Sequence, residues 1–194
     1  MANTYSSTLR LILQTTGENA GTWGTYTNTN IGTLLEQAIT GIGAIAVSGS
    51  SNYTLTTANG ASDESRNAVL NITGTLTAAI NVVCPTSAKT YIVKNGTTGG
   101  YAITLKTSGG TGISVPNGST MLLYCDGTNV VEGVTNIGTM TAGSLSLSGN
   151  LTVAGSTTLS GGTANGVAYL NGSKVLTTGS ALVFDGTNLG LGVT

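Results

Sequence analysis

The side chains that could take part in chemistry are few: seven carboxylates, six lysines and arginines, and two cysteines, with no histidine. Without histidine the usual general base is missing, and nucleophilic triads built on it are excluded. Glycoside hydrolysis needs two facing carboxylates, and the only adjacent pair is Asp63 and Glu64. We interpret residues 60–66 as a surface loop in which Arg66 is the local partner of this pair. The sequence therefore predicts no catalytic residues and no enzyme.

Cofactor and metal sites are not predicted either. We interpret Cys84 and Cys125, which lie in strand-like runs, as buried thiols that pack as small apolar residues; spacing leaves a disulfide open. Metal binding by two cysteines without histidine is not expected. Asp126 and Asp185 each precede Gly-Thr-Asn between two apolar runs. We interpret both as hairpins in which the aspartate accepts backbone hydrogen bonds of the turn. No glycine-rich stretch ends in Gly-Lys-Ser or Gly-Lys-Thr, so phosphate binding is not indicated.

The composition argues for a turn-rich, mainly β protein in an assembly. Charged residues make up 7% of the chain, the net charge is −1 and there are 30 glycines. Six scattered cations cannot neutralise a phosphate backbone, so no nucleic-acid partner is expected. The most apolar stretch, residues 31–47, contains Glu36 and Gln37 and is short for a membrane span, so no membrane insertion is expected. The polar N-terminus has no apolar segment typical of a secretory signal.

The first 43 residues are predicted to hold an arm and the chain's only helix. In the arm, residues 1–21, Leu9, Leu11 and Leu13 alternate with other residues as in an extended strand. A polar turn with the only tryptophan, Trp23, follows. Residues 25–42 then change to helical spacing, with one apolar face formed by Ile31, Leu34, Leu35, Ala38, Ile39 and Ile42.

Residues 44–136 are predicted to form a small β-domain. Eight short apolar runs are separated by turn signals such as Asn95-Gly96 and Asp126-Gly127. This pattern is typical of a β-sandwich or jelly-roll-like fold. The runs are residues 45–47, 53–57, 68–72, 78–84, 90–94, 101–107, 120–125 and 129–132.

A six-residue repeat dominates the remaining segment, residues 137–194. Glycines recur at 143, 149, 155 and 161, and apolar residues alternate between them. Each hexad is interpreted as a short strand and a corner. Three hexads supply roughly one coil of a β-helix, whereas solenoids need about three stacked repeats. We therefore predict an intertwined β-helical shaft of three chains, whose core is formed by Leu145, Leu147, Leu151, Val153 and Leu159.

Several segments resemble the tail fibres of tailed bacteriophages, marine ones in particular. Residues 145–162, Leu-Ser-Leu-Ser-Gly-Asn-Leu-Thr-Val-Ala-Gly-Ser-Thr-Thr-Leu-Ser-Gly-Gly, are similar to fibre shaft segments. Residues 184–192, Phe-Asp-Gly-Thr-Asn-Leu-Gly-Leu-Gly, are similar to a strand–turn unit of the same proteins. Ala20-Gly-Thr-Trp-Gly, followed by Asn28-Thr-Asn-Ile-Gly and Leu34-Leu-Glu-Gln-Ala-Ile, resembles the N-terminal attachment region of such fibres.

The resemblance implies a homotrimeric fibre in the virion, assembled in the host cytoplasm. Its N-terminus would dock on a tail adaptor, nozzle or baseplate protein, and its distal end would face the host. The helix face has two interpretations, packing within the trimer or docking on the tail, and the arm is the stronger candidate for contact with another protein. The candidate docking residues are Leu9, Leu11, Leu13, Trp23, Leu34, Leu35 and Ile39. A polysaccharide-cleaving tailspike and a bacterial surface adhesin are the alternatives.

Overall fold

The computed structural model describes residues 3–145, 147 and 149–192. It divides into two compact units, Met1–Met140 and Thr141–Thr194. The segments predicted as an attachment region, 1–43, and a β-domain, 44–136, both lie in the first unit. Ser146, Ser148, Val193 and Thr194 of the predicted shaft lie outside the described residues.

The first unit begins with a short hairpin and the predicted helix. Strands β1 (Thr4–Tyr5) and β2 (Ile12–Leu13) pair antiparallel. The helix runs without a break through α1 (Trp23–Thr29), a π-helical stretch (Asn30–Leu35) and α2 (Glu36–Thr40). It ends where Gly41 adopts extended backbone, with φ −65° and ψ 137°. The prediction of one helix is confirmed.

All eight predicted β runs contain a strand. The strands are β3 (Ile42–Gly49), β4 (Tyr53–Thr54), β5 (Val69–Leu76), β6 (Ile80–Cys84), β7 (Lys89–Asn95), β8 (Ile103–Thr107), β10 (Thr120–Cys125) and β11 (Val130–Glu132). The sequence reasoning missed β9 (Gly112–Val115), although Ile113 and Val115 alternate there. A 3₁₀ turn, Glu64–Arg66, lies between β4 and β5.

The pairing of these strands differs from a jelly roll. One sheet has the order β11-β10-β7-β5-β3 and the other β4-β6-β8-β9. From β3 to β8 the chain alternates between the two sheets, so β3, β5 and β7 pair in parallel, as do β4, β6 and β8. The antiparallel pairs in this unit's two large sheets are β7 with β10, β10 with β11, and β8 with β9.

The turn at Asn95-Gly96 shows why the jelly-roll expectation differs from the structure. We predicted a turn there from the residue types, but the Asn95 side chain is fully buried and donates to the Tyr101 and Val115 carbonyl oxygens, at 3.1 and 3.0 Å. These bonds hold the chain where it crosses to β8 in the other sheet. Parallel strands need crossovers of this kind.

A single apolar core lies between the two sheets, because alternate residues of each strand point inward. Its fully buried members include Leu70, Ile72, Tyr91, Ile103 and Leu123. Burial of such a side chain contributes roughly 1.5–3 kcal/mol to the free energy of folding, relative to leaving it exposed to water. Cys84 and Cys125 belong to this core as free buried thiols, as we expected.

In the second unit, the β-helical shaft is not shown. The described strands of this unit form two short antiparallel pairs. They are β12 (Tyr169–Leu170) with β13 (Leu176–Thr177), and β14 (Leu182–Phe184) with β15 (Leu189–Leu191). The second pair confirms the hairpin predicted at Asp185-Gly-Thr-Asn. Across the hexads, the described residues form no strand. A strand needs a partner backbone for its N–H and C=O groups, and the described hexad residues pair with no other strand of the described chain.

Candidate interaction surfaces

The N-terminal arm is folded back on the first unit, which corrects the expectation of a free extended strand. Ile12, which we placed on the opposite side from the leucines, is buried with 6% exposure, whereas Leu13 is 49% exposed. Leu9 and Leu11 are half-buried and lie outside the strands. The face of the arm that packs inward at Ile12 and Leu13 is therefore the opposite of the predicted face.

The helix fixes this arm through one side chain. Asn30 Oδ1 accepts a hydrogen bond from the Ile12 N–H at 2.9 Å, and Asn30 Nδ2 donates to the Ile12 carbonyl at 2.7 Å. Gly60 closes the other side, because its N–H donates to the Arg10 carbonyl at 2.9 Å. A Cβ at Gly60, whose φ is +66°, would lie 2.8 Å from the Ile12 side chain. The arm thus has two specific attachments to the rest of the unit.

Arg10 provides a third attachment, to a buried carboxylate. Arg10 Nη2 lies 2.7 Å from Asp63 Oδ2 and 3.0 Å from Ser65 Oγ. Arg66 Nη2 lies 3.1 Å from the same Asp63 oxygen. The Asp63 and Arg66 side chains are 1% and 0% exposed. This corrects our interpretation of residues 60–66 as a loop of solvated charges, although Arg66 is the local partner as predicted.

The Asp63 carboxylate is held in its charged form. Burial raises the pKa of Asp63, but hydrogen bonds from Arg10, Ser65 and the Ala58 N–H outweigh burial and hold the pKa below its ordinary value. Asp63 Oδ1 also accepts from the Arg66 N–H at 2.8 Å and so caps the 3₁₀ turn. Its oxygens are therefore committed to protein donors, an arrangement suited to holding the arm in place.

A third cation lies close to this cluster. Lys89 Nζ donates to the Asn67 carbonyl at 2.8 Å and lies 4.2 Å from the centre of the Tyr91 ring. Burial lowers the pKa of Lys89 to about 8. Glu64, the neighbour of Asp63, is engaged elsewhere: its Oε1 accepts from the Tyr53 hydroxyl at 2.7 Å and its Oε2 from the Thr56 N–H at 2.8 Å. The adjacent carboxylates therefore do not face one another across a groove.

The predicted helix face is divided between core and solvent. Leu34 is fully buried and Leu35 is half-buried. Trp23, Ile31 and Ile39 are 63%, 61% and 66% exposed. Of the candidate docking residues, Leu13, Trp23 and Ile39 are thus available to a partner, whereas Leu34 is committed to its own unit.

All the predicted shaft-core residues are exposed. In the second unit, exposure is 42% to 66% for Leu145, Leu147, Leu151, Val153 and Leu159. A shallow cavity beside Leu159 is lined by Gly161, Gly162 and residues 176–178, and it contains no acidic side chain. The described part of the chain does not cover these apolar side chains, which we call the hexad columns.

A further apolar surface, which sequence reasoning missed, crosses the outer face of the five-stranded sheet. Ile42 pairs with Val69, Val69 with Ile92, and Ile92 with Leu122. We call these four residues the outer row. Ile42, Ile92 and Leu122 are 69%, 41% and 41% exposed, and Val69 is partly exposed. The sequence feature that could have predicted this surface is the run of consecutive apolar residues in β7 and in β10, a pattern typical of strands covered on both faces.

The two Asp-Gly-Thr-Asn turns have the predicted role. Asp126 Oδ1 accepts from the N–H groups of Thr128 and Asn129, at 2.8 and 2.7 Å. Asp185 makes the same bonds to Thr187 and Asn188. These bonds lower the pKa of both aspartates. The carboxylates are turn formers in both hairpins.

Comparison with known proteins adds no assignment to these surfaces. Within the described part of the chain, no three potential metal-binding side chains of histidine, cysteine, aspartate or glutamate cluster together. The helices that the structure describes do not include one with the length and apolar character of a membrane span. No protein-family model, no curated protein and no solved structure matches this chain.

Proposed function

We propose that this chain is the proximal part of a trimeric bacteriophage tail fibre. In this role it links the tail or baseplate to a distal region that recognises the host. The proposal draws on the sequence resemblance, and the observation that carries it is the exposure of the hexad columns. Leu145, Leu151 and Val153 are 57%, 66% and 47% exposed, and the residues that the structure describes do not cover them.

Association of three chains accounts for these columns physically. If each chain places one Leu/Val pair per hexad against the threefold axis, each layer gathers about six apolar side chains. At roughly 1.5–3 kcal/mol per buried side chain, a layer gains on the order of 10 kcal/mol before the entropy of ordering is subtracted. Strand pairing between chains also supplies the partners that the hexad backbone lacks within one chain.

The N-terminal surface is the proposed attachment to the tail. Trp23 and Ile39 are large, exposed apolar side chains on a helix that is fixed to its unit by buried Leu34. Rigid aromatic anchors of this kind are frequent at protein interfaces. In the arm, Leu13 is 49% exposed, and the next residue, Gln14, joins the arm to the start of the helix because its Nε2 donates to the Trp23 carbonyl at 3.2 Å. The proposed partner is a tail adaptor, nozzle or baseplate protein.

Sedimentation velocity of the full chain tests the trimer. We expect a single trimeric species at micromolar concentration, because the apolar side chains of the hexads stay exposed to water in a monomer. The double variant Leu145→Ser/Leu151→Ser should dissociate, whereas the matched control Ser144→Ala/Asn150→Ala, which changes the polar residue before each leucine, should remain trimeric. A folded monomer of the unaltered chain would contradict the trimer.

Labelling of particles tests the location. An antibody raised against the first unit, with a gold label, should mark the tail end of the particles whose genome encodes this chain. Labelling of the surface of uninfected cells instead would support an adhesin. Release of sugars from host envelopes by the purified chain would support a depolymerase.

A further inference from the structure

The outer row lies on a sheet face that the described part of the chain leaves uncovered. Its members are aligned across four strands, so they form one contiguous apolar band. Tyr124, 41% exposed, extends the band along β10, where it pairs with Thr90 and with Val131 of β11. Aligned apolar side chains on an exposed face mark an interaction surface more strongly than scattered ones.

The strands themselves are built to be covered on both faces. A strand with one wet face alternates apolar and polar residues, whereas β7 has Tyr91-Ile92-Val93 in succession and β10 has Met121-Leu122-Leu123-Tyr124. The inner members Tyr91, Val93 and Leu123 are fully buried. The outward-facing residues between them therefore indicate a second covering layer, which is not supplied by the residues that the structure describes.

The path of the chain connects this band to the hexad columns. Gly133, where the chain leaves β11, donates its N–H to the Leu122 carbonyl at 2.8 Å. A Cβ at Gly133 would lie 2.8 Å from the Leu122 side chain, so the segment passes close against the end of the outer row. Exposed apolar residues continue from there at Val134, Ile137 and Met140, at 53%, 63% and 53%.

We infer that the outer row packs against neighbouring copies of this chain, so that the first unit is itself part of the trimer interface. This inference rests on the proposed function, in which the shaft holds three chains together. Three chains joined at their shafts would hold their first units at a high effective concentration. Contact between outer rows can then form even if it is weak by itself. The outer row has no charged side chain to oppose contact between identical surfaces; Lys94 lies in the next outward row, paired with Asn71 and Thr120.

Photo-crosslinking of the full chain tests this assignment with a matched pair of tyrosines. Tyr124 beside the outer row is 41% exposed, and Tyr101, away from it, is 39% exposed. Each is replaced in turn by benzoylphenylalanine, a conservative aromatic change. We expect ultraviolet light to give a chain-to-chain product from position 124 and not from position 101.

A substitution adds a quantitative readout. Leu122→Ser should raise the concentration at which the trimer dissociates by about tenfold, since it removes an apolar contact from each interface. Tyr101→Ser, the control, should leave that concentration unchanged. Circular dichroism establishes that both variants retain the β-sheet signal.

The outcomes separate this inference from the function beneath it. A trimer without a chain-to-chain product from position 124, or with equal products from 124 and 101, overturns the outer-row interface and leaves the proposed fibre intact. A monomer at all concentrations overturns both the outer-row interface and the trimeric fibre. A trimer that gives a chain-to-chain product from position 124 and none from position 101 supports the interface and the fibre.

Discussion

At the scale of single residues, Asp63 is the buried carboxylate that joins the N-terminal arm to the rest of the first unit. It is the one carboxylate that contacts both Arg10 and Arg66, and its side chain is 1% exposed. Removal of a buried negative partner leaves two guanidinium groups without compensation. Such losses are larger than the loss of an exposed ion pair.

We expect Asp63→Asn to lower the free energy of unfolding by about 3–5 kcal/mol. Urea unfolding followed by circular dichroism measures this. The control is Asp126→Asn, in an exposed turn, which should have a clearly smaller effect. Equal effects of the two substitutions would show that the buried ion pairs are not important for stability.

The contribution of Asp63 also predicts a pH dependence. Because its pKa is lowered in the folded state, the stabilisation is present above the unfolded pKa of about 3.9 and is lost as pH falls through the lower folded value. The difference in melting temperature between the unaltered chain and Asp63→Asn should therefore be full near pH 7 and shrink below about pH 4. A difference that does not shrink at all as the pH falls below about 4 would contradict this assignment.

The two cysteines lead to a prediction about reactivity. Burial, with a smaller contribution from Cys125, raises the pKa of Cys84 to about 12. Thiolate is the reactive form, so Cys84 should not react with a thiol reagent in the folded chain. Cys125 is 1% exposed and should not react because the reagent cannot reach it; both should react in urea. Ser114→Cys, on an exposed position of β9, should react at once and serves as the positive control. Immediate reaction of the native pair would exclude the buried core that we describe.

At the scale of elements, the contact between helix and hairpin decides whether the arm is folded or free. Asn30 bonds to both backbone groups of Ile12, accepting from its N–H and donating to its carbonyl. The arm is otherwise two strands of two residues each, too short to be stable alone. Its order is therefore a property of the helix as much as of the arm.

We expect Asn30→Ala to release the arm and to expose the bond after Arg10 to trypsin. Limited proteolysis with mass spectrometry should show cleavage there faster than in the unaltered chain, because local opening precedes cleavage. Asn28→Ala, an exposed asparagine on the same helix, should leave the rate unchanged. Resistance of Asn30→Ala to cleavage would mean that Arg10 and Asp63 hold the arm without the helix.

At the scale of the whole molecule, the low charge governs how copies meet. With 7% charged residues and a net charge of −1, association of this chain depends on apolar and backbone contacts. Electrostatic contacts weaken with salt, whereas apolar contacts do not.

The proposed trimer should therefore keep its dissociation concentration when sodium chloride is raised from about 0.1 to about 1 M, a change that shortens the Debye length from about 10 to about 3 Å. Sedimentation equilibrium at the two salt concentrations measures this. Marked dissociation at the higher concentration would indicate that charged contacts hold the copies together. The variant Leu145→Ser/Leu151→Ser should dissociate at both.

The sequence determined the elements of this protein. Alternation located eight strands, helical spacing located the helix, and Asp-Gly-Thr-Asn located two hairpins. These are local patterns, and the preference of a short segment depends mainly on the residues within it. The burial of Cys84 and Cys125 followed from the same alternation.

Only the tertiary structure decided which segments meet. The parallel order of β3, β5 and β7, the contact of Arg10 with Asp63, and the alignment of Ile42 with Leu122 through two intervening strands join residues far apart in the chain. Local periodicity carries no information on strand order, and a shift of one residue reverses the face of every side chain. That is why Ile12 is buried where the alternation of the leucines placed it outside.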